Sequence, residues 1–92
     1  MATAQQREQG RGDEQKERGK LHALIAERVL HTLGEPGTLH LIQVRHLWGD
    51  HYRVNVLVGE NAASARVAHS YFLIADNAGH IVTSTPKITK RY

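Results

Sequence analysis

The chain predicts an α+β fold, with one N-terminal helix packed on a four-stranded antiparallel meander sheet. Three observations predict it. Apolar residues recur at three- and four-residue spacing from Leu21 to Leu33, the period of a helix with one buried face. After Gly37 the apolar period changes to two, the period of strands. The period-two stretches are joined by short connections, so consecutive strands pair with their neighbours and the helix lies across one face.

Each element has its own local cause. In "KLHALIAERVLHTLGEPG" the stripe is Leu21, Leu24, Ile25, Val29 and Leu33, widened by Ala23, Ala26 and Leu30. Gly34 stands where a left-handed C-cap is wanted and Pro36 bars continuation. The predicted helix is about 14 residues long; Gly19 weakens any extension through it, although Asp13 offers an earlier cap. The first strand spans residues 38–47 and the second 51–58. A three-residue loop, Trp48-Gly49-Asp50, sets His46 opposite Tyr52, Val44 opposite Val54 and Ile42 opposite Val56. That register collects Ile42, Val44, Tyr52, Val54, Val56 and Val58 on one face, whereas a slip of one residue scatters them. "GENAASA" is a connection, and "RVAHSYFLIAD" is a strand apolar on both sides. "DNAG" predicts a type I turn closed by Gly79, and "HIVTSTP" is a fourth strand ended by Pro86.

The pattern "ALIAERVL", then "HYRVNVLV", then "FLIADNAGHIV" resembles that of PepSY-type domains, at Ala26, Tyr52, Val54, Val56, Asp76, Gly79 and Ile81. The connection "GENAASARVAHS" is longer than is usual there. The resemblance implies a cystatin-like fold, a helix on an antiparallel sheet, and a non-enzymatic role in binding or inhibition.

Composition bounds the function. Ninety-two residues make one small domain. From Gln5 to Lys20 no side chain is apolar, so residues 1–17 are read as a disordered polar tail. Residues 18–88 are the single folded unit and residues 89–92 a basic C-terminal tail. There is no cysteine, which removes disulfides, thiolate nucleophiles and cysteine-ligated zinc. No apolar run suits a secretory signal or a membrane span. The expectation is a cytoplasmic protein without a cofactor and away from the membrane. The net charge of +3 is dispersed, with only "KITKRY" locally basic; a nucleic-acid surface concentrates its charge.

Seven histidines invite a metal. His40 and His46 share a face but lie about 20 Å apart along a strand, and no His-x-His or His-x3-His pair exists. One cluster survives: the two hairpin turns fall at the same end of a meander, bringing His51, Asp76 and His80 into reach of a metal or proton. The competing reading, in which Asp50 and Asp76 serve turn chemistry, is favoured. No enzyme is expected. Ser70 follows His69, but adjacent strand residues point to opposite faces. No phosphate loop, GxSxG or HExxH is present. The RGD tripeptide ending at Asp13 lies in the polar tail and is read as chance.

The most informative feature is surplus apolar surface. A helix about 10 Å wide cannot cover both faces of a sheet about 19 Å across. Leu39, Leu41, Leu57, Tyr71, Leu73 and Trp48 are therefore expected on an interface, with Phe72 and Ile74 contributing. The leading expectation is a non-catalytic protein-interaction module, homodimeric or bound to a partner protein through a sheet face. A C-terminal tail or a connection at 59–65 folded over that face is the competing explanation. The alternative function is a small basic nucleic-acid-binding protein using Arg45, Arg53, Lys87, Lys90 and Arg91, with Tyr71 as a stacking neighbour.

Overall fold

The computed structural model describes the backbone of residues 2–92 and the side chains of residues 18–92. The polar tail expected over residues 1–17 lies outside the residues whose side chains are described. Helix α1 (Ala2–Leu33) is followed by β1 (Leu39–Trp48), β2 (His51–Val58), β3 (Arg66–Ala75) and β4 (Ile81–Thr85). The four strands form one antiparallel sheet in chain order, the predicted meander with one helix against it. No helix of the described residues is long and apolar enough to cross a membrane.

The helical backbone passes through Gly19, which the local propensity had placed at its limit. A single helical glycine costs only about 1 kcal/mol against alanine. Of the apolar stripe, Ile25, Val29 and Leu33 are completely buried, at the i, i+4, i+8 spacing that lines one face. Gly34 caps the helix as expected, with φ +88° and its N–H donating to Leu30 O at 2.8 Å.

The predicted β1–β2 register is the observed one: His46 pairs with Tyr52, Val44 with Val54 and Ile42 with Val56. The loop that produces it differs. Trp48 pairs with His51 across a two-residue turn, Gly49-Asp50, and the register shifts between His46 and Trp48. A tight turn plus one bulged residue thus gives the pairing of a three-residue loop. Positive φ falls on Gly49, at +49°, the first central position where a type II′ turn needs glycine. Asp50, the second central residue, keeps a negative φ.

At the second hairpin, Asp76 Oδ1 accepts the N–H groups of Ala78 (3.0 Å) and His80 (2.8 Å). Gly79 has φ +81°, and a Cβ there would lie 2.9 Å from Leu24 Cβ. The turn tucks under α1, so glycine is required both for its conformation and for the close approach.

The core lies between α1 and one face of the sheet. Ile25, Val29 and Leu33 meet Tyr52, Val54, Val56, Tyr71, Leu73 and Ala75 there. Leu21, Leu39, Ile42, Val44 and Ile81 pack around them. The chain after β4 closes one end of this layer. Ile88 is buried, its N–H donating to Ser84 Oγ at 3.1 Å. The N–H groups of Arg91 and Tyr92 both donate to Leu33 O, at 2.8 and 3.1 Å. Residues 89–92, read from sequence as a tail outside the folded unit, thus supply partners for a carbonyl that the helix end leaves open.

Candidate interaction surface

The side of the sheet away from α1 is a set of cross-strand rows that follow from the pairing. Leu41, Leu57 and Val67 form the first row. Gln43, Asn55 and Ser70 form the second. Arg45, Arg53, Phe72 and Thr85 form the third. Trp48, His51, Ile74 and Thr83 form the fourth, at the hairpin end.

The rows differ in chemistry. The first is apolar, with Leu41 43% and Val67 53% exposed. The second is a hydrogen-bonded ladder: Asn55 Nδ2 donates to Gln43 Oε1 at 3.2 Å, and Ser70 Oγ donates to Asn55 Oδ1 at 2.7 Å. Arg53 extends the ladder from the third row by donating to Ser70 Oγ at 3.2 Å. The fourth row begins an aromatic corner. Trp48 stacks on His51 with centroids 4.7 Å apart and planes at 22°, and both approach Phe72, at 6.0 and 5.6 Å. Trp48 is nevertheless 58% exposed. His51 Nδ1 is buried in this corner and has no hydrogen-bond partner among the described residues.

The structure sorts the interface residues inferred from sequence. Leu41, Leu57 and Trp48 stand on the uncovered face. Tyr71 and Leu73 do not: they pair with Val54 and Tyr52 and are buried under α1. Leu39 packs against the same core. The correction has a simple cause. β3 is apolar on both sides, so its period cannot select a face; its register with β2 does, and it turns Phe72 and Ile74 outward instead. The C-terminal segment closes the helix side and leaves this face open. The connection at 59–65 likewise leaves Leu41 and Val67 exposed.

The nucleic-acid set divides too. Arg45 and Arg53 are direct cross-strand partners on the uncovered face. Arg91 is held by its backbone to the end of α1, and Lys87 borders the groove with Thr32 and Ile88. The expected basic surface is therefore split between the two sides of the sheet, and Tyr71 is not on the face that carries Arg45 and Arg53. The sole ion pair among the described residues is Asp76–His80, so neither Arg45 nor Arg53 has a carboxylate partner there.

The hairpin-end cluster of His51, Asp76 and His80, the less favoured reading from sequence, comes together only in part. The two turns do share one end of the sheet, where Ala75 N–H donates to Asp50 O at 2.9 Å. His80 Nδ1 meets Asp76 Oδ2 at 3.2 Å. His51 stays apart, because its place in β2 aims it at Trp48 and Phe72. No group of three or more candidate ligands comes together among the described residues. Asp76 serves the turn: the N–H of His80, ahead of that of Ala78, holds its carboxyl below the usual range.

The remaining histidines follow the faces. His69 shares a hydrogen bond with Tyr92 OH at 2.8 Å, while Ser70 belongs to the ladder on the other face. His46 Nε2–H donates to Gly49 O at 2.8 Å and its ring packs on Tyr52, as does that of His22. Burial, with the neighbouring charges of His46 and Arg18, holds the His22 imidazole below its ordinary range. Burial pushes the Tyr52 and Tyr71 phenols up.

The ladder of Gln43, Asn55 and Ser70 was missed in the sequence. Its signal is the alternation of Gln43 and Arg45 with apolar residues, matched by Arg53 and Asn55 in the next strand. No known family model, curated protein or solved structure matches the chain significantly.

Proposed function

We propose that the protein is a non-catalytic interaction module that self-associates through the uncovered face of its sheet. One observation carries this reading: a single helix shields one face, while the other presents Leu41, Trp48 and Val67 to solvent beside half-buried Leu57, Phe72 and Ile74. Large apolar side chains left exposed at both ends of one sheet face mark interaction sites on folded proteins. Trp48 is the natural anchor, since exposed aromatic residues supply much of the energy at interfaces. A chain with no cysteine suits the reducing cytoplasm.

Sedimentation equilibrium at micromolar concentration tests the proposal. The wild-type chain is expected to be dimeric, and Trp48→Ala to weaken association at least tenfold, a loss of about 1.4 kcal/mol. A monomeric wild-type chain refutes it.

A second reading is favoured by Arg45 and Arg53, two like charges placed directly opposite each other without a carboxylate partner among the described residues. Such a pair is unfavourable in an isolated sheet and suits a phosphate backbone, with Trp48 alongside for a base to stack on. A gel shift on single-stranded RNA and DNA separates the two. Phosphate-driven binding falls steeply with salt, whereas apolar self-association persists.

A further inference from the structure

The rows of the uncovered face determine how a second copy can sit on it, an inference that rests on the self-association just proposed. A two-fold axis between two such faces lies in their common plane and runs either along the strands or across them. Packed sheets of this kind keep their strands within about 30° of each other at about 10 Å separation, so both arrangements bring rows onto rows.

With the axis along the strands, each row meets the same row of the partner, and β1 lies over the partner's β4. Leu41 then lies over no strand, because β4 pairs only with the Phe72–Ala75 part of β3; the chain after β4, which lines a groove beside Ala68–Tyr71, offers Lys87, Thr89 and Arg91 there. Trp48 meets Thr83. The two most exposed apolar side chains of β1 both lack an apolar partner.

With the axis across the strands, each strand lies over its own copy in reverse, and the order of rows is inverted. Leu41 meets the partner's Trp48, Leu57 meets the partner's His51, and Val67 meets the partner's Ile74. The apolar row covers the aromatic corner, and the reverse occurs at the other end. In the middle, Arg45 and Arg53 come over the partner's Gln43 and Asn55. Both amide oxygens already accept one hydrogen bond, from Asn55 and Ser70 respectively. An amide oxygen has a second lone pair for a guanidinium donor. Cations thus meet amide oxygens, and no arginine faces an arginine.

We propose that the homodimer is this reversed, face-to-face pair, with its two-fold axis between the Asn55 row and the Arg53 row. Self-complementarity carries the choice of occupant: a face with an apolar end, an amide band, an arginine band and an aromatic end fits its own inverse. An isologous interface requires that kind of match.

Cross-linking tests it, because the natural chain has no cysteine. Leu41→Cys and Trp48→Cys variants are prepared separately and treated with a short bis-maleimide, alone and mixed. The mixture is expected to give at least fivefold more covalent dimer than either variant alone. Val67→Cys with Ile74→Cys provides a second pair on β3, which covers the case in which a Trp48 variant no longer associates. Self-linking of the single variants at the level of the mixtures overturns the reversed pair while leaving self-association intact. A wild-type chain that sediments as a monomer overturns both, as does a chain that associates only around added single-stranded RNA.

Discussion

The two faces of this sheet are made by the same strands and differ most at their centres. Under α1 the centre is Tyr52, Val54, Tyr71 and Leu73, all buried. On the other side the corresponding positions are Arg53, Asn55 and Ser70, joined by side-chain hydrogen bonds. Both faces are apolar towards their ends. The comparison teaches that an apolar period alone does not make a core: the helix sits on the face whose centre is apolar. The polar centre of the other face also restricts how anything can stack on it, since buried amides and guanidinium groups need matched partners.

The sharpest way to break this comparison uses two residues of β3 on opposite faces. Leu73→Ala removes a completely buried side chain and is expected to cost about 2–5 kcal/mol. Val67→Thr, on the uncovered face, is expected to stay within about 0.5 kcal/mol of wild type in monomer stability. Urea denaturation midpoints at constant m measure both. Equal losses would mean that the uncovered face is as structural as the covered one.

The two hairpin glycines extend the same contrast. Gly79→Ala forces a Cβ against Leu24 at positive φ and is expected to destabilise by about 1–3 kcal/mol from the backbone strain alone. Gly49 is also at positive φ, but a Cβ there meets nothing closer than His51 Nδ1 at 3.9 Å. Gly49→Ala should therefore lie at the lower end of that range. The order of the two midpoints checks whether packing under α1 adds to the cost.

Asn55→Ala probes the polar centre and is expected to cost about 0.5–1.5 kcal/mol for each of the two ladder hydrogen bonds it removes. A gain in stability would show that the ladder restricts partners rather than supporting the monomer. The smallest effect concerns pH. His22 lies on the covered side with its folded pKa below the ordinary value of 6.5. The unfolded chain therefore binds more protons in the window just below that value. This contribution to stability is complete above about pH 6.5 and is lost as pH falls towards the folded pKa. His22→Gln is expected to flatten the slope of melting temperature between about pH 7.5 and 5.

Much of the fold was legible because one side of an element was polar. The helix stripe ends at Gly34 with charged residues opposite it, and its buried members follow from spacing. In β1 and β2, Gln43, Arg45, Arg53 and Asn55 alternate with apolar residues, so only one pairing keeps the apolar set together. The pairing survived even though the turn producing it was a bulge and two residues rather than a three-residue loop. The candidate surface was half legible: Leu41, Leu57, Trp48, Arg45 and Arg53 were placed on it, whereas Tyr71, Leu73 and Leu39 were not where their apolarity suggested.

The amino-acid sequence alone determined the element order, the first hairpin register and the turn at Asp76–Gly79, because short-range period, capping and turn chemistry act within a few residues. The tertiary structure alone decided which side of β3 is inside, which cations share a face, and that Arg91 and Tyr92 close the end of α1. Those outcomes depend on pairings and backbone contacts between segments far apart in the chain, to which a strand apolar on both sides, or a short polar segment, is locally indifferent.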